Sequence, residues 1–382
     1  MSDGLHLTRR TVLRTGGAVA GGSALAGCIT GEDNGNGGNG NGNGNGDEID
    51  GPYSVTMEPV GEVEFDSVPQ SWAVNNGTWG DMGIALGQDP PEAIYLNTRI
   101  HTQHYEEIPD LSVDREEIGQ LWNDELTSEE FMELSNSVDL FVMDPEFIMG
   151  RLDHWSQEDI DTIEATGTPF FGSSIFSRGY EWHDYDYLTL YEAFEKLSQV
   201  FQEEDRYEAF AELHDEFQSD LEDIVPPEGE RPSVAIMWPQ PAEAPESFSP
   251  YLIDKGTSFK QWRDLGVEDA LATTDVEDFH AGRTEVDYEL LLDIDPDVLL
   301  IRGNEHKSAE EFQNTVVSHM KSHNVASQLT AVQEGDVYRG GPLHQGPIVN
   351  LAVTERAAQQ LYDVDEELFD RQEVSNIVNG DF

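Results

Sequence analysis

The chain has 382 residues, with 77 Asp and Glu against 20 Lys and Arg, a formal net charge of −57. So large an acidic excess, spread through every segment, excludes nucleic acid as a partner, because that needs a basic surface. The single cysteine, Cys28, excludes a disulfide within the molecule and a thiolate metal site.

The N-terminus reads as an export signal. Thr8-Arg9-Arg10-Thr11-Val12-Leu13 is followed by a glycine-rich apolar run and then Leu25-Ala26-Gly27-Cys28. Paired arginines before a weakly apolar stretch form a twin-arginine (Tat) address. Leu-Ala-Gly-Cys resembles a lipobox, which predicts cleavage after residue 27 and lipidation of Cys28. The run is too short and too rich in glycine to span a bilayer. Residues 28–55 follow as lipidated cysteine and Gly/Asn tether. The stretch GEDNGNGGNGNGNGNGDEIDG has no apolar area to bury and spans roughly 25 Å as a random coil. The expected location is the outer face of the cytoplasmic membrane, held by lipid because the acidic body is repelled by an anionic surface. Self-repulsion among the carboxylates also predicts a halophilic fold that needs molar salt to screen it.

The residues after the tether are enough for two domains. Residues 56–186 alternate strand and helix patterns: strands at 71–75, 93–96, 138–143 and 168–171, helices at 79–86, 128–136 and 157–165. Ser128 is the expected cap of the second helix, ahead of Glu129 and Glu130. Such alternation predicts a parallel sheet covered on both faces. From 187 to 224, apolar residues recur in steps of three and four, so one face is apolar. A continuous helix here would be about 57 Å long, with a break near Glu203-Glu204-Asp205 as the alternative. Pro226-Pro227 ends it. Residues 227–382 resume the alternation, with strands at 233–238, 298–301 and 336–339 and helices at 259–265, 288–292, 309–321 and 347–362. The predicted fold class is α/β: two Rossmann-like lobes joined by a linking helix over 187–226, with the ligand cleft between them.

This plan resembles the substrate-binding proteins of ABC importers for iron–siderophores, haem and vitamin B12, over roughly residues 60–365. Val68-Pro69-Gln70-Ser71-Trp72-Ala73-Val74 followed by a helix ending Ala85-Leu86-Gly87 is similar to the family's opening. Val286-Asp287-Tyr288-Glu289 ahead of Asp295-Pro296-Asp297-Val298-Leu299-Leu300-Ile301 is similar to its recurrent helix-to-strand step. Gly335-Asp336-Val337-Tyr338 is similar to its late strand. The resemblance implies a monomeric, non-enzymatic receptor that hands a metal chelate to ABC permease and ATPase subunits. It also implies docking through one acidic residue on each lobe, for which Glu130 and Asp264 are the nearest matches. Arg263 stands where the second glutamate is expected.

Ligands in that family lie across loops at the carboxyl ends of strands. The residues singled out there are Asn76, Trp79, Arg178, Tyr180, Trp182, Trp238, Arg302 and His344. Arginine is rare in this chain, so Arg178 and Arg302 suit an anionic siderophore or a haem propionate. The aromatics suit an apolar wall; each also suits a lobe core, and each arginine a surface ion pair. No cofactor and no metal site of the protein's own is expected. His101 and His104 with Glu106 and Glu107 have ligand-like spacing, but Pro109 and its surroundings favour a loop. Asn76-Gly77-Thr78 is a glycosylation sequon placed where a turn is expected. The ligand reading is a ferric siderophore or similar chelate, with cobalamin, haem or a bare ion as alternatives. A secreted hydrolase lacks support, since neither G-x-S-x-G nor H-E-x-x-H occurs. A surface-layer protein would show β-sandwich repeats instead of this alternation.

Overall fold

Alternation of inward and outward side chains marks the first two strands. Val55, Met57 and Phe65 are buried while Ser54, Thr56, Glu62 and Glu64 face water. They form an antiparallel hairpin of β1 (Tyr53–Met57) and β2 (Gly61–Phe65). A computed structural model describes residues 51–382, apart from 123–126, 153, 178, 179, 181, 283 and 363 and the side chains of 280 and 281. The signal, Cys28 and most of the tether therefore lie outside the described residues, and so does Arg178. Among the described residues no helix is long and apolar enough to cross a membrane.

The first sheet is wholly parallel. β3 (Trp72–Val74), β4 (Ala93–Ile94), β5 (Gly119–Gln120) and β6 (Leu140–Val142) lie in the order β5-β4-β3-β6. Three of the four are short apolar runs buried throughout, as strands covered on both faces must be. Between β3 and β4 lies α1 (Gly77–Ala85), every residue of which is buried. Helix α2 (Ser128–Leu134) is capped by Thr127 rather than Ser128. Thr127 and Glu130 form a reciprocal box, in which Glu130 N–H donates to Thr127 Oγ1 and Thr127 N–H to Glu130 Oε2 at 3.0 Å. Helices α3 (Pro145–Arg151) and α4 (Gln157–Glu164) follow β6. The strand expected at 168–171 is reduced to a parallel bridge between Phe170 and Phe141.

The amphipathic stretch 187–224 is not one helix. It folds into α5 (Leu190–Phe201) and α6 (Glu204–Ile224), separated at Gln202, whose φ of 55° is left-handed. The two arms turn back on each other: the rings of Phe194 and Phe210 lie 5.9 Å apart and those of Tyr191 and His214 4.1 Å. Glu204 and Asp205 occupy the first turn of α6, where carboxylates favour a new helix N-terminus. The longer arm is therefore about 31 Å, not 57 Å.

The second sheet is mixed rather than parallel. Its order is β10-β8-β7-β11-β12 for β7 (Ser233–Gln240), β8 (Ser247–Tyr251), β10 (Val286–Asp287), β11 (Val298–Ile301) and β12 (Val337–Arg339). A further strand, β9 (Glu268–Asp269), pairs with the start of β7. β7, β11 and β12 are parallel; β8 runs antiparallel to β7 because a short turn joins them. Helix Pro347–Tyr362 packs on α1, α6 and α7 (Lys260–Asp264), and helix Arg371–Asn379 returns the chain to α6. Both sheets contribute to one large apolar core, flanked by a smaller cluster in each lobe.

Candidate ligand-binding cleft

Loops after the strand ends of both sheets surround a cleft of about 770 Å³. On the first-lobe side, the chain after β4 makes two 3₁₀ turns, Asn97–Arg99 and Thr102–Tyr105. These present Thr98, Arg99, His101 and Gln103 to the cleft. The first turn presses on the start of α1 so closely that a Cβ at Gly77 would strike the Arg99 carbonyl. Arg115 joins them from the loop before β5, and α3 adds Phe147 and Arg151.

Asp144 holds that side together. Its carboxylate accepts the Glu146 N–H at 2.9 Å, capping α3, and hydroxyls of Ser174 at 2.7 Å and Tyr185 at 2.5 Å. Burial raises its pKa, and these donors oppose the rise. The Ser174 segment carries Phe176, and Tyr180 follows. Tyr180 stacks on Trp182 at 4.8 Å and meets Phe147 and Phe176 edge-on.

On the second-lobe side stand Trp238 and Gln240 of β7, Ser249 and Tyr251 of β8, and Phe279. Gly303, Glu305 and His306 follow β11, and Pro342 and Leu343 follow β12. Trp238 is 39% exposed, in a chain that buries most large apolar side chains. Gly303, with φ 78°, lies against its indole. Glu305 is a buried carboxylate bonded to Arg356 at 2.9 Å and to the Gly341 N–H at 3.1 Å. Burial would raise its pKa; Arg356 and neighbouring charges overcome this and hold it at about 2.

The cleft is basic in an acidic protein. Arg99, Arg115 and Arg151 line it from one lobe. Burial, then the Arg151 charge, lowers the Arg99 pKa, so the two guanidiniums feel each other. Arg99 lies over the Tyr95 ring at 5.9 Å and Arg151 over the Phe147 ring at 5.8 Å. Neither has a carboxylate within ion-pair distance among the described residues. Burial holds His101 neutral, lowering its pKa to about 4, and His104 to about 3. Arginines facing aromatic rings across a cleft of this size suit a bulky anion with an apolar rim. Among the described residues no group of three or more His, Cys, Asp or Glu is arranged to hold a metal ion.

Of the residues singled out from sequence, the structure brings Tyr180 and Trp238 to the cleft. Arg178 lies outside the described residues, and the others sit elsewhere. Asn76 caps α1, its side chain accepting the Thr78 N–H at 2.9 Å. Trp79 is fully buried in the core. Trp182 stands behind Tyr180. His344 is buried with its ring 4.9 Å from that of Phe176. Arg302 is 1% exposed and lies behind the wall. Glu130 is engaged in the capping box, and Asp264 accepts from Lys260 Nζ at 2.6 Å and Gln218 at 3.2 Å. Sequence reasoning did not single out Arg99, Arg115 and Arg151. The rarity of arginine, applied to every strand-end loop, would have found Arg99.

Residues 139–342 match the periplasmic binding protein family. No curated protein matches the chain. Among solved structures, a periplasmic binding protein from Veillonella parvula aligns with TM-score 0.57 at 16% identity, over 82% of this chain and 99% of its own. The triscatecholate siderophore binding protein FeuA from Bacillus subtilis, complexed with ferri-bacillibactin, gives 0.55 at 14% identity, over 81% and 98%. The haem-binding protein HmuT gives 0.54 at 16%, over 81% and 90%. At such identities the likeness is one of fold. With the match spanning more than half its length, the chain belongs to the periplasmic binding protein family.

Proposed function

We propose that the chain is a solute-binding receptor, not an enzyme, that captures an anionic ferric chelate of the siderophore class and delivers it to an ABC importer. The observation that carries this reading is the cluster of Arg99, Arg115 and Arg151 on one wall of an aromatic-lined cleft, in a protein of net charge −57. Elsewhere the chain repels anions; here it concentrates cations. The siderophore complex formed by the Bacillus neighbour supports the same class. Anchoring through a lipidated Cys28, export by the Tat route and docking on a permease through acidic surface residues belong to the same proposal.

Haem is the second reading. His101 lines the cleft and stays unprotonated down to about pH 4, so it offers iron an imidazole nitrogen, while the arginines suit the propionates. Quenching of tryptophan emission, with Trp238 in the cleft, tests the two against each other in high salt. The receptor reading expects tight quenching by a ferric tris-catecholate and weaker quenching by haem. Tight haem binding with a Soret shift lost in His101→Ala selects the second. Binding of neither rejects both.

A further inference from the structure

Arg302 is a buried cation with most of its hydrogen-bonding capacity unused. Its guanidinium carbon lies 5.1 Å from the Tyr251 ring centre and 5.2 Å from that of Phe259. Nη2 donates to the Pro342 carbonyl at 2.6 Å. Nε and Nη1 are buried and have no hydrogen-bond partner among the described residues. Glu305 and Asp278 are near enough to favour its charge, yet neither is within ion-pair distance. Glu305 is already paired with Arg356. Burial lowers the arginine's pKa, but a guanidinium stays protonated. Tyr251 and Pro342 both line the cleft, so this charge sits one side chain behind its wall.

We infer that Arg302 sets the charge selectivity of the cleft by acting through the wall, as a positioning charge whose counter-ion is the bound anion. This rests on the anionic-chelate reading above. The physical reason is screening. In molar salt the Debye length is about 3 Å, so the exposed Arg151 loses most of its attraction for a ligand. Mobile ions cannot enter the packed layer of Tyr251, Phe259 and Pro342. The field of Arg302 therefore reaches the cleft through protein, where charges interact more strongly than in water.

The test measures Kd for two ferric chelates, an anionic tris-catecholate and a neutral tris-hydroxamate, in about 0.5 M and about 3 M KCl. The variants are Arg302→Met, Arg302→Lys and Arg151→Gln. In the parent, a preference of about tenfold or more for the anion should survive in the higher salt. Arg302→Met should lose most of that preference in the higher salt, and less of it in the lower, where Arg99 and Arg151 still act, while binding the neutral chelate as before; Arg302→Lys should keep most of it. The Arg151→Gln effect should fade as salt rises. Equal weakening of both chelates by Arg302→Met, or no rescue by lysine, would assign Arg302 a structural role and overturn the inference. If Arg302→Met does not fold, the parent decides alone: a preference that vanishes in the higher salt also overturns it. Failure of the parent to bind either chelate rejects the receptor reading itself, a result distinct from these.

Discussion

Asp81 and Val349 lie 268 residues apart and are joined by a 3.0 Å hydrogen bond from the Val349 N–H to Asp81 Oδ2. Asp81 belongs to α1 of the first lobe; Val349 opens the helix Pro347–Tyr362 of the second. The same carboxyl accepts from the Tyr105 hydroxyl at 2.7 Å. It is a fully buried acid group at the junction of the lobes. The loop leading into that helix carries Pro342 and Leu343, so this junction also fixes the cleft floor.

That junction should be sensitive to pH. Burial raises the Asp81 pKa to about 7, against hydrogen bonds from Tyr105 and the backbone of Val349, Ile348 and Gly346. A carboxyl whose folded pKa lies above its unfolded value contributes stability below about pH 4, and this is lost as pH rises through about 7. Asp81→Asn removes the titration. Its melting temperature should come nearest the parent's near pH 4 and exceed it near pH 8, by an amount equivalent to a few kcal/mol. Thermal melts at both pH values check this; a difference independent of pH would contradict it.

Glu305 should behave in the opposite sense. Its pKa of about 2 lies below the ordinary carboxylate value, so its contribution is present above about pH 4.5 and lost as pH falls toward 2. Glu305→Gln leaves Arg356 without its buried partner, at a cost of about 3 kcal/mol near pH 7. Denaturant unfolding at pH 7 and pH 3 should show the gap between parent and variant closing on acidification.

Gly303 should control the shape of the cleft through Trp238. A Cβ at this position would lie 2.8 Å from the indole, and φ is 78°. Gly303→Ala should destabilise by about 1 kcal/mol and shift the tryptophan emission, because the ring must move. Chelate affinity should fall with it. Unchanged emission and affinity would show that Trp238 is free to adjust.

Much of the fold was legible in the sequence. Helix Pro347–Tyr362, the strand Val298–Ile301 and the lobe–helix–lobe order follow from strong periodicity and bounding turn residues. For 187–224 the structure takes the alternative of a break near Glu203-Glu204-Asp205; that α6 folds back on α5 was not legible, because both arms bury an apolar face. The mixed second sheet was missed because β8, Ser247–Tyr251, contains Pro250 and reads as loop. In the cleft, Tyr180 and Trp238 were reachable from strand-end position. Arg302 also follows a strand, but its N–H bonds to Met237 O, continuing the pairing with β7, and its side chain is buried. Trp79 was singled out by loop position, yet it packs in the core. Sequence position does not tell which face of a loop a side chain takes.

The proposed anchor makes its own prediction. With Cys28 replaced by serine, the protein should leave the membrane fraction and appear in the soluble one, as judged by fractionation and immunoblot. Retention equal to the parent's would place the anchor elsewhere.

The central claim is that the cleft holds an anionic ferric chelate through the arginines of its first wall. The most direct test is the Kd of a ferric tris-catecholate in about 0.5 M salt for the parent, Arg99→Gln and the Arg99→Gln/Arg151→Gln double variant. Each lost charge-assisted contact is worth about 1.5–3 kcal/mol. The account predicts weakening of about tenfold or more in the single variant, more in the double, with circular dichroism unchanged. Parent-like affinity in the folded double variant, or tight binding of free ferric ion with no response to the chelate, would contradict it.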